Sequence, residues 1–473
     1  MIVGRKQEIE QLERAYNSEK SEFVAVYGRR RIGKTFLINE TFHNRFTFRY
    51  TGIYNVPNKD QLAEFYRSLI AQGYSGQAST PKSWFDAFGM LRELIENDAS
   101  KRKTICLDEL PWMDSKNSRF LQAFEHFWNG WASNRKDILL IICGSATSWI
   151  INKIFRDKGG LYNRVTYKML LKPFSLHECE EMVEACNLPY NRNMIMEGYM
   201  VMGGIPYYWS KLDPTKSINR NINDLFLMPG GELHDEFRYI YSSMFRSPEK
   251  YIKVIEALSG KTSGLTREEI VKKGKLENNG HVSDILEDLI ECGFIRKYCH
   301  TGKKLKDALY QLIDYYSLFY YHFVRQSHNV DEEYWVRIMR TPQYNAWCGL
   351  AFERVCLLHT RQIKMVLGIS GIMANIFSWH IKKTEEHPGV QIDLLIDRAD
   401  NVIDVCEMKY APDGYILTAS TLDSLKAKLN VLKQYMPQKK YVELVLITSN
   451  GLIKNRYYGE ILHNIKADQL FQP

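Results

Sequence analysis

The chain has 473 residues and a formal net charge of +8, with 45% hydrophobic, 13% aromatic and 25% charged residues. That length divides into roughly two to four domains, and that apolar share excludes a disordered chain, while the mild positive charge permits nucleic acid without demanding it. Single cysteines without a C-x-x-C pair exclude a zinc knuckle or a disulfide framework and suit reduced thiols, and the lack of any signal-like or membrane-length apolar run points to the cytoplasm and to no membrane partner.

From Met1 to about Val165 the apolar runs FVAVYG, FTFRYTGI, TICLDE and LLIICGS alternate with helical stretches, the pattern of a parallel sheet with crossover helices. The first run leads into G-x-x-x-x-G-K-T, Gly28 to Thr35, between a strand and a helix, the context in which this motif has physical meaning. Gly28 and Gly33 allow a tight turn whose backbone N–H groups face phosphate, and the helix that follows adds its positive end. Lys34 reaches the outer phosphates and Thr35 offers a hydroxyl to Mg²⁺. Arg29, Arg30, Arg31, Ile32 and Phe36 complete the nucleotide-binding stretch. The run Thr104 to Leu107 ends in Asp108, suited to the metal, and Glu109, suited to orienting water beside the γ-phosphate, so Lys34 and Glu109 are the expected catalytic pair. ATP and Mg²⁺ are the expected cofactors. The run DILLIICGS ends at Ser145, read either as a sensor of the γ-phosphate or as an ordinary polar strand-end turn.

Leu171 to about Met228 turns helical around a Gly203–Gly204–Ile205–Pro206 turn and reads as a lid. Between Ser247 and Lys297, LTREEIVKKG, HVSDILEDLIECG and FIRKY resemble a winged helix-turn-helix. Its second helix carries Asp284, Glu287, Asp288 and Glu291 with no Lys or Arg, which opposes insertion into a DNA groove and favours packing between domains. The nearby Lys272, Lys273 and Lys275, with Lys303, Lys304 and Lys306, suit either a phosphate backbone or solvated loops. After the aromatic connector YQLIDYYSLFYYHFV come a helix near AFERVCLLHTRQI and the strand-like VQIDLLI, VIDVCEMKY and YVELVLITS, a second α/β unit.

In that tail Asp393, a short turn and Glu407-Met408-Lys409 look like the PD-(D/E)XK nuclease pattern, and Glu353 fits its preceding helix. Asp393, Glu407 and Glu353 are the expected metal ligands, with Glu407 and Lys409 as catalytic residues. The i, i+2 spacing puts Glu407 and Lys409 on one strand face, while Asp393 joins them only if the turn has an odd number of residues. A hairpin with one solvated polar face yields the same letters.

With the opening VGRKQEIEQLE, these residues resemble the archaeal-type P-loop ATPases of the STAND branch of the AAA+ superfamily over most of the chain. The resemblance implies that Val3, Gly4 and Arg5 lie near the adenine and that the Gly204–Pro206 element packs the lid against nucleotide, with Pro206 in contact. It offers Arg164 of GGLYNR as a phosphate contact or arginine finger, the alternative being a solvated surface group. The expected fold class is α/β multidomain: a P-loop AAA+-like parallel sheet (residues 1–168), a helical lid (169–235), a winged helix (236–330) and a restriction-endonuclease-like α/β tail (331–473). The function implied is an ATP-hydrolysing switch controlling a nuclease-like tail that acts on or near DNA. The alternative is a regulatory or scaffolding ATPase whose tail only binds a partner, and a plain DNA-binding regulator is a third reading. The partners implied are ATP, DNA, and either further copies of the chain or a regulated protein.

Overall fold

A computed structural model describes residues 2–473 except 78, 158, 246, 262, 299–307, 328–331, 340, 382–388 and 437–439. Lys303, Lys304 and Lys306 lie outside the described residues. The chain forms two compact units, residues 1–173 with 240–248, and residues 174–239 with 249–473. Residues 169–173, placed by sequence in the lid, and 240–248, placed in the winged helix, belong to the first unit.

The first unit is built on strands β1 (Glu22–Tyr27), β2 (Phe48–Thr51), β3 (Lys103–Asp108), β4 (Ile138–Gly144) and β5 (Tyr167–Leu170). They lie in the order β2-β3-β4-β1-β5 and every pair is parallel. β3 and β4 are buried along their whole length, which is why they read as unbroken apolar runs rather than alternating ones. Alternate residues, Phe23 and Ala25, Ile105 and Leu107, Leu140 and Ile142, supply one face of the core. That face is filled by aromatic side chains from helices Asn58–Ala71, Trp84–Asn97 and Phe120–Gly130, with Trp84 edge-on to both Phe65 and Phe120. The start of Trp84–Asn97 is fixed by a capping box in which Ser83 and Asp86 satisfy each other's backbone N–H groups. β5 was not anticipated: YKML is short, and its two outer residues, Lys168 and Leu170, are exposed.

The second unit opens with helices Leu176–Ala185 and Arg192–Met202. The latter ends at Gly203, whose φ of 60° suits glycine, and a Cβ on Gly204 would lie 1.9 Å from the Phe174 carbonyl oxygen. The GGIP signature therefore has a local packing cause, and Pro206 starts the short helix Pro206–Trp209. Helices Pro248–Ser259, Arg267–Gly274 and Gly280–Glu291 follow, with a small antiparallel sheet of β6 (Leu265–Thr266), β7 (Ile295–Tyr298) and β8 (Leu309–Leu312) in the order β6-β8-β7. The aromatic connector supplies β8 and then a helical stretch from Tyr315 to Val324.

The tail forms β9 (Ala374–Ile381), β10 (Val390–Arg398), β11 (Val402–Lys409), β12 (Tyr441–Thr448) and β13 (His463–Lys466), ordered β13-β12-β11-β10-β9. β9, β10 and β11 are antiparallel neighbours, whereas β11, β12 and β13 run parallel. A parallel pair needs a crossover, and helix Ala419–Tyr435 supplies it between β11 and β12. The described cysteines are all free, and no helix among the described residues is long and apolar enough to cross a membrane.

Candidate functional site

The strand order places β4 between β1 and β3. The glycine loop leaves the end of β1 and the Asp108–Glu109 pair ends β3, so about 10 Å of sheet separates them and the end of β4 lies between. Gly28 has φ 143° and a Cβ there would sit 2.5 Å from the Leu171 carbonyl oxygen, so both backbone angle and space require glycine. Arg31 and Gly33 also have positive φ, 66° and 90°, and Gly33 caps helix Lys34–Thr41. The loop is thus curved tightly at the start of a helix, the geometry that aims N–H groups at an anion.

Lys34 is only 6% exposed, and its ammonium donates to the carbonyls of Gly28 (2.9 Å) and Arg29 (2.7 Å). The Thr35 hydroxyl donates to Asp108 Oδ2 at 2.8 Å, and Asp108 Oδ1 accepts from the Glu109 N–H at 2.9 Å. These oxygens form a donor set that fits a hard divalent cation, and Thr35 and Asp108 are the residues that would hold it. Asp108 is buried, and its carboxylate, second to burial itself, helps push the neighbouring Cys143 thiol far up.

Glu109 stands in the left-handed region at φ 47°, an uncommon conformation for a non-glycine residue. Its carboxylate accepts from Ser145 twice over: the backbone N–H reaches Oε2 at 3.2 Å, and the hydroxyl lies 3.0 and 3.1 Å from the two oxygens. Ser145 therefore touches the expected water-orienting residue across the sheet. Behind it, buried Gln61 binds the Ile53 N–H and C=O, the Trp112 carbonyl and the Tyr50 hydroxyl, fixing the segment after Glu109 to the loop after β2. Sequence reading missed Gln61, since a helical glutamine carries no local signal of burial.

Val3 and Gly4 precede helix Lys6–Tyr16, while Arg5, also at positive φ, is buried. Arg5 donates to the carbonyls of Lys172 (2.7 Å) and Ile32 (3.5 Å), tying the opening segment to the phosphate loop and to the chain that leaves β5. Arg29 and Ile32 are buried, Arg31 is half-buried, and Arg30 and Phe36 are exposed. Arg164 is exposed on a turn. Pro206 belongs to the second unit and carries the packing role already described.

In the tail, β10 and β11 pair Leu394 with Cys406 and Asp397 with Ile403, so the turn between them is odd, and Asp393 and Glu407 each lie one residue beyond the Leu394–Cys406 pair, where β10 shifts register against β9. Burial, then the nearby Asp393, pushes the Glu353 carboxyl up to about 7, with Glu407 adding to the rise and Lys409 opposing it. The fold thus brings Glu353, Asp393, Glu407 and Lys409 into one neighbourhood. Yet both Glu407 oxygens are engaged by lysines, Lys409 at 2.8 Å and Lys428 at 3.0 Å. Burial alone would raise the Glu407 carboxyl, but these two ammonium groups hold it below its ordinary value. No group of three metal-ligating side chains occurs among the described residues. Lys428 was not anticipated; the gap between the strand-like runs was a signal for a helix there, but not for its direction.

Residues 2–212 match a family described as an ATPase domain predominantly from Archaea. That part of the chain is thus similar to an archaeal-type ATPase domain. An uncharacterized protein of Methanocaldococcus jannaschii is 26% identical over 416 residues, 84% of each chain. An uncharacterized ATP-binding protein of the same organism is 49% identical over 45 residues, which is 10% of this chain and 76% of that one. Among solved structures, a Walker-type ATPase of Pyrococcus abyssi covers 67% of this chain and 95% of its own at 18% identity and a TM-score of 0.48. The Aeropyrum pernix ORC2 protein, in ADPNP–ADP complexes, covers 75% and 95% at 13% identity and a TM-score of 0.40.

Proposed function

We propose that the chain is an ATP-hydrolysing switch of the STAND kind, in which Mg²⁺-ATP is held by Gly28 to Phe36 and its state is relayed to the later domains. The observation that carries this reading is the Thr35–Asp108 contact with Glu109 held by Ser145 at the end of the intervening strand. In the mechanism, the glycine-loop N–H groups and Lys34 neutralise phosphate charge. Thr35 and Asp108 would hold the cation, which when bound would supply charge neutralisation. Glu109 orients a water in line with the γ-phosphate, and Ser145 fixes the carboxylate that does so. Val3, Gly4 and Arg5 serve the adenine end in this reading, and Pro206 reports closure of the helical lid.

The tail would bind a partner or DNA rather than cut, because Lys428, in addition to the Lys409 that the nuclease pattern itself contains, engages the Glu407 carboxylate. A nuclease-like tail controlled by ATP is the second reading, supported by the nearness of both Asp393 and Glu407 to Glu353. The winged-helix-like helices then serve packing, given the acidic face of Gly280–Glu291. The test is ATP turnover by the parent, Lys34→Ala and Glu109→Gln, run beside Mg²⁺-dependent nicking of a supercoiled plasmid by the parent, Lys409→Ala and Lys428→Met. Turnover lost in both ATPase variants with no nicking in any protein is the expected result. Turnover that survives Glu109→Gln overturns the catalytic assignment, and nicking that is lost in Lys409→Ala moves the tail to the nuclease reading.

A further inference from the structure

A cavity of about 320 Å³ lies in the second unit between the small antiparallel sheet and the edge of the tail sheet, lined by Arg296, Tyr298, Gln311, Ser378 and Asp393 among others. Its size is in the range of small-ligand sites. Arg296, on β7, points its fork into this space. Its Nε donates to Gln311 Oε1 at 2.6 Å and its NH2 to the Ser378 hydroxyl at 3.1 Å, while the guanidinium carbon lies 4.9 Å from the Tyr298 ring centroid. All of these partners are neutral, and among the described residues no carboxylate forms an ion pair with Arg296.

The surroundings reinforce an unmet positive charge. Arg354, 2% exposed, is close enough to oppose the charge on Arg296 and is itself bonded, among the described residues, to the carbonyls of Leu312 (3.1 Å) and Leu350 (2.7 Å). Burial first, and Arg354 further, bring the Arg296 guanidinium down to about 10, with Asp393 and Glu353 pulling the other way. The other cavity acid, Glu269, is already engaged by Lys261 at 3.1 Å and by the Thr266 N–H at 2.8 Å. Asp393 Oδ1 accepts from Gln391 at 2.7 Å, and its backbone carbonyl accepts from the Ser378 hydroxyl at 2.6 Å. Ser378 thus links the guanidinium to the strand that carries Asp393.

We propose that this cavity is a phosphate-ester site in which Arg296 is the anchor, held in place by Gln311 and Ser378 and stacked on Tyr298. A buried guanidinium with neutral partners recovers the most by pairing with a doubly acceptor anion, and its planar fork matches phosphate in two-point contact. The site shares no residue with the P-loop and does not require that the tail cut anything. The ligand is a phosphate ester, whether of a free mononucleotide or of a DNA strand, and the probes separate these sources.

The test uses the full chain carrying Lys34→Ala, so that the P-loop contributes little, and measures binding of dAMP, inorganic phosphate and a fluorescent single-stranded DNA oligonucleotide. Arg296→Gln is expected to weaken binding at least about tenfold, the loss of one charged hydrogen-bonded contact. Gln311→Glu provides the second variant: it keeps Arg296 but sets a carboxylate against its Nε, and is expected to abolish binding while leaving thermal unfolding no lower than in the parent. A response to dAMP and to DNA alike supports a free phosphate ester as ligand, and a response to DNA alone supports a strand. Equal binding by the parent and both variants, or no binding of any probe to the parent, overturns the proposal, whatever the ATPase assays give.

Discussion

Replacing Ser145 by alanine isolates the contact that joins the end of β4 to Glu109, the carboxylate proposed to orient water. The side chain contributes one hydroxyl proton shared between the two Glu109 oxygens at 3.0 and 3.1 Å, whereas the backbone N–H at 3.2 Å survives the substitution. A hydrogen bond to a charged acceptor is worth about 1.5–3 kcal/mol, and the shared, slightly long geometry belongs at the lower end. About 1.5 kcal/mol of lost orientation corresponds to a kcat roughly tenfold lower. Because the hydroxyl touches Glu109 rather than the phosphate loop, KM for ATP should hardly move. The assay is steady-state ATP turnover across a range of ATP concentrations, with nucleotide affinity measured separately by equilibrium titration. A fall in affinity at unchanged kcat would place Ser145 on the nucleotide, and a kcat within twofold of the parent would show that the backbone N–H alone positions Glu109. Either result refutes the reasoning.

Gly28→Ala should destabilise the first unit by about 2–4 kcal/mol, because the added methyl meets the Leu171 carbonyl at 2.5 Å with φ at 143°; urea unfolding measures it, and an unchanged midpoint contradicts the close approach. His359 is 2% exposed, contacts the Val355 carbonyl through Nδ1 at 2.7 Å and accepts the Leu176 N–H on Nε2 at 3.1 Å, an arrangement for the neutral ring. Burial lowers its pKa from 6.5 to about 4. The unfolded chain therefore takes the proton first, so this stability is complete above about pH 6.5 and is lost as pH falls towards about 4, by roughly 3 kcal/mol. His359→Gln should flatten that part of the stability–pH curve relative to the parent, and an unaltered slope sinks the assignment. Gln61→Leu should leave Ile53 and Trp112 carbonyls and the Ile53 N–H without their buried partner. It should cost about 2–3 kcal/mol and also lower turnover through Glu109; turnover retained in a folded variant would argue that the loop after β2 does not support the site.

The parts of the fold that sequence revealed are those with an intrinsic local signature. β1, β3 and β4 read directly as unbroken apolar runs because parallel strands covered on both faces have no polar side to alternate with. The glycine loop was legible because Gly28 and Gly33 answer backbone demands that few other residues can meet. β5 and β9 were not, since partial exposure dilutes their hydrophobic pattern. The tail illustrates a different limit. Strand alternation placed Glu407 with Lys409, but the side chain that completes the arrangement, Lys428, comes from a separate helix, and no spacing rule links the two. Ser145 showed the same limit: its position at a strand end was readable, while its partner depended on which strand lies next to which.

The chain leaves the first unit through Leu171 and Lys172, and those two residues are bonded to the machinery itself. The Leu171 N–H binds the Tyr27 carbonyl at 2.8 Å, its carbonyl abuts Gly28, and the Lys172 carbonyl takes the Arg5 guanidinium. The exit peptide is thus part of the wall of the phosphate loop. In the proposed switch, a change in the curvature of that loop would meet the outgoing backbone directly through these contacts. A proline at Leu171 would remove the bond to the Tyr27 carbonyl and disturb the wall of the phosphate loop itself.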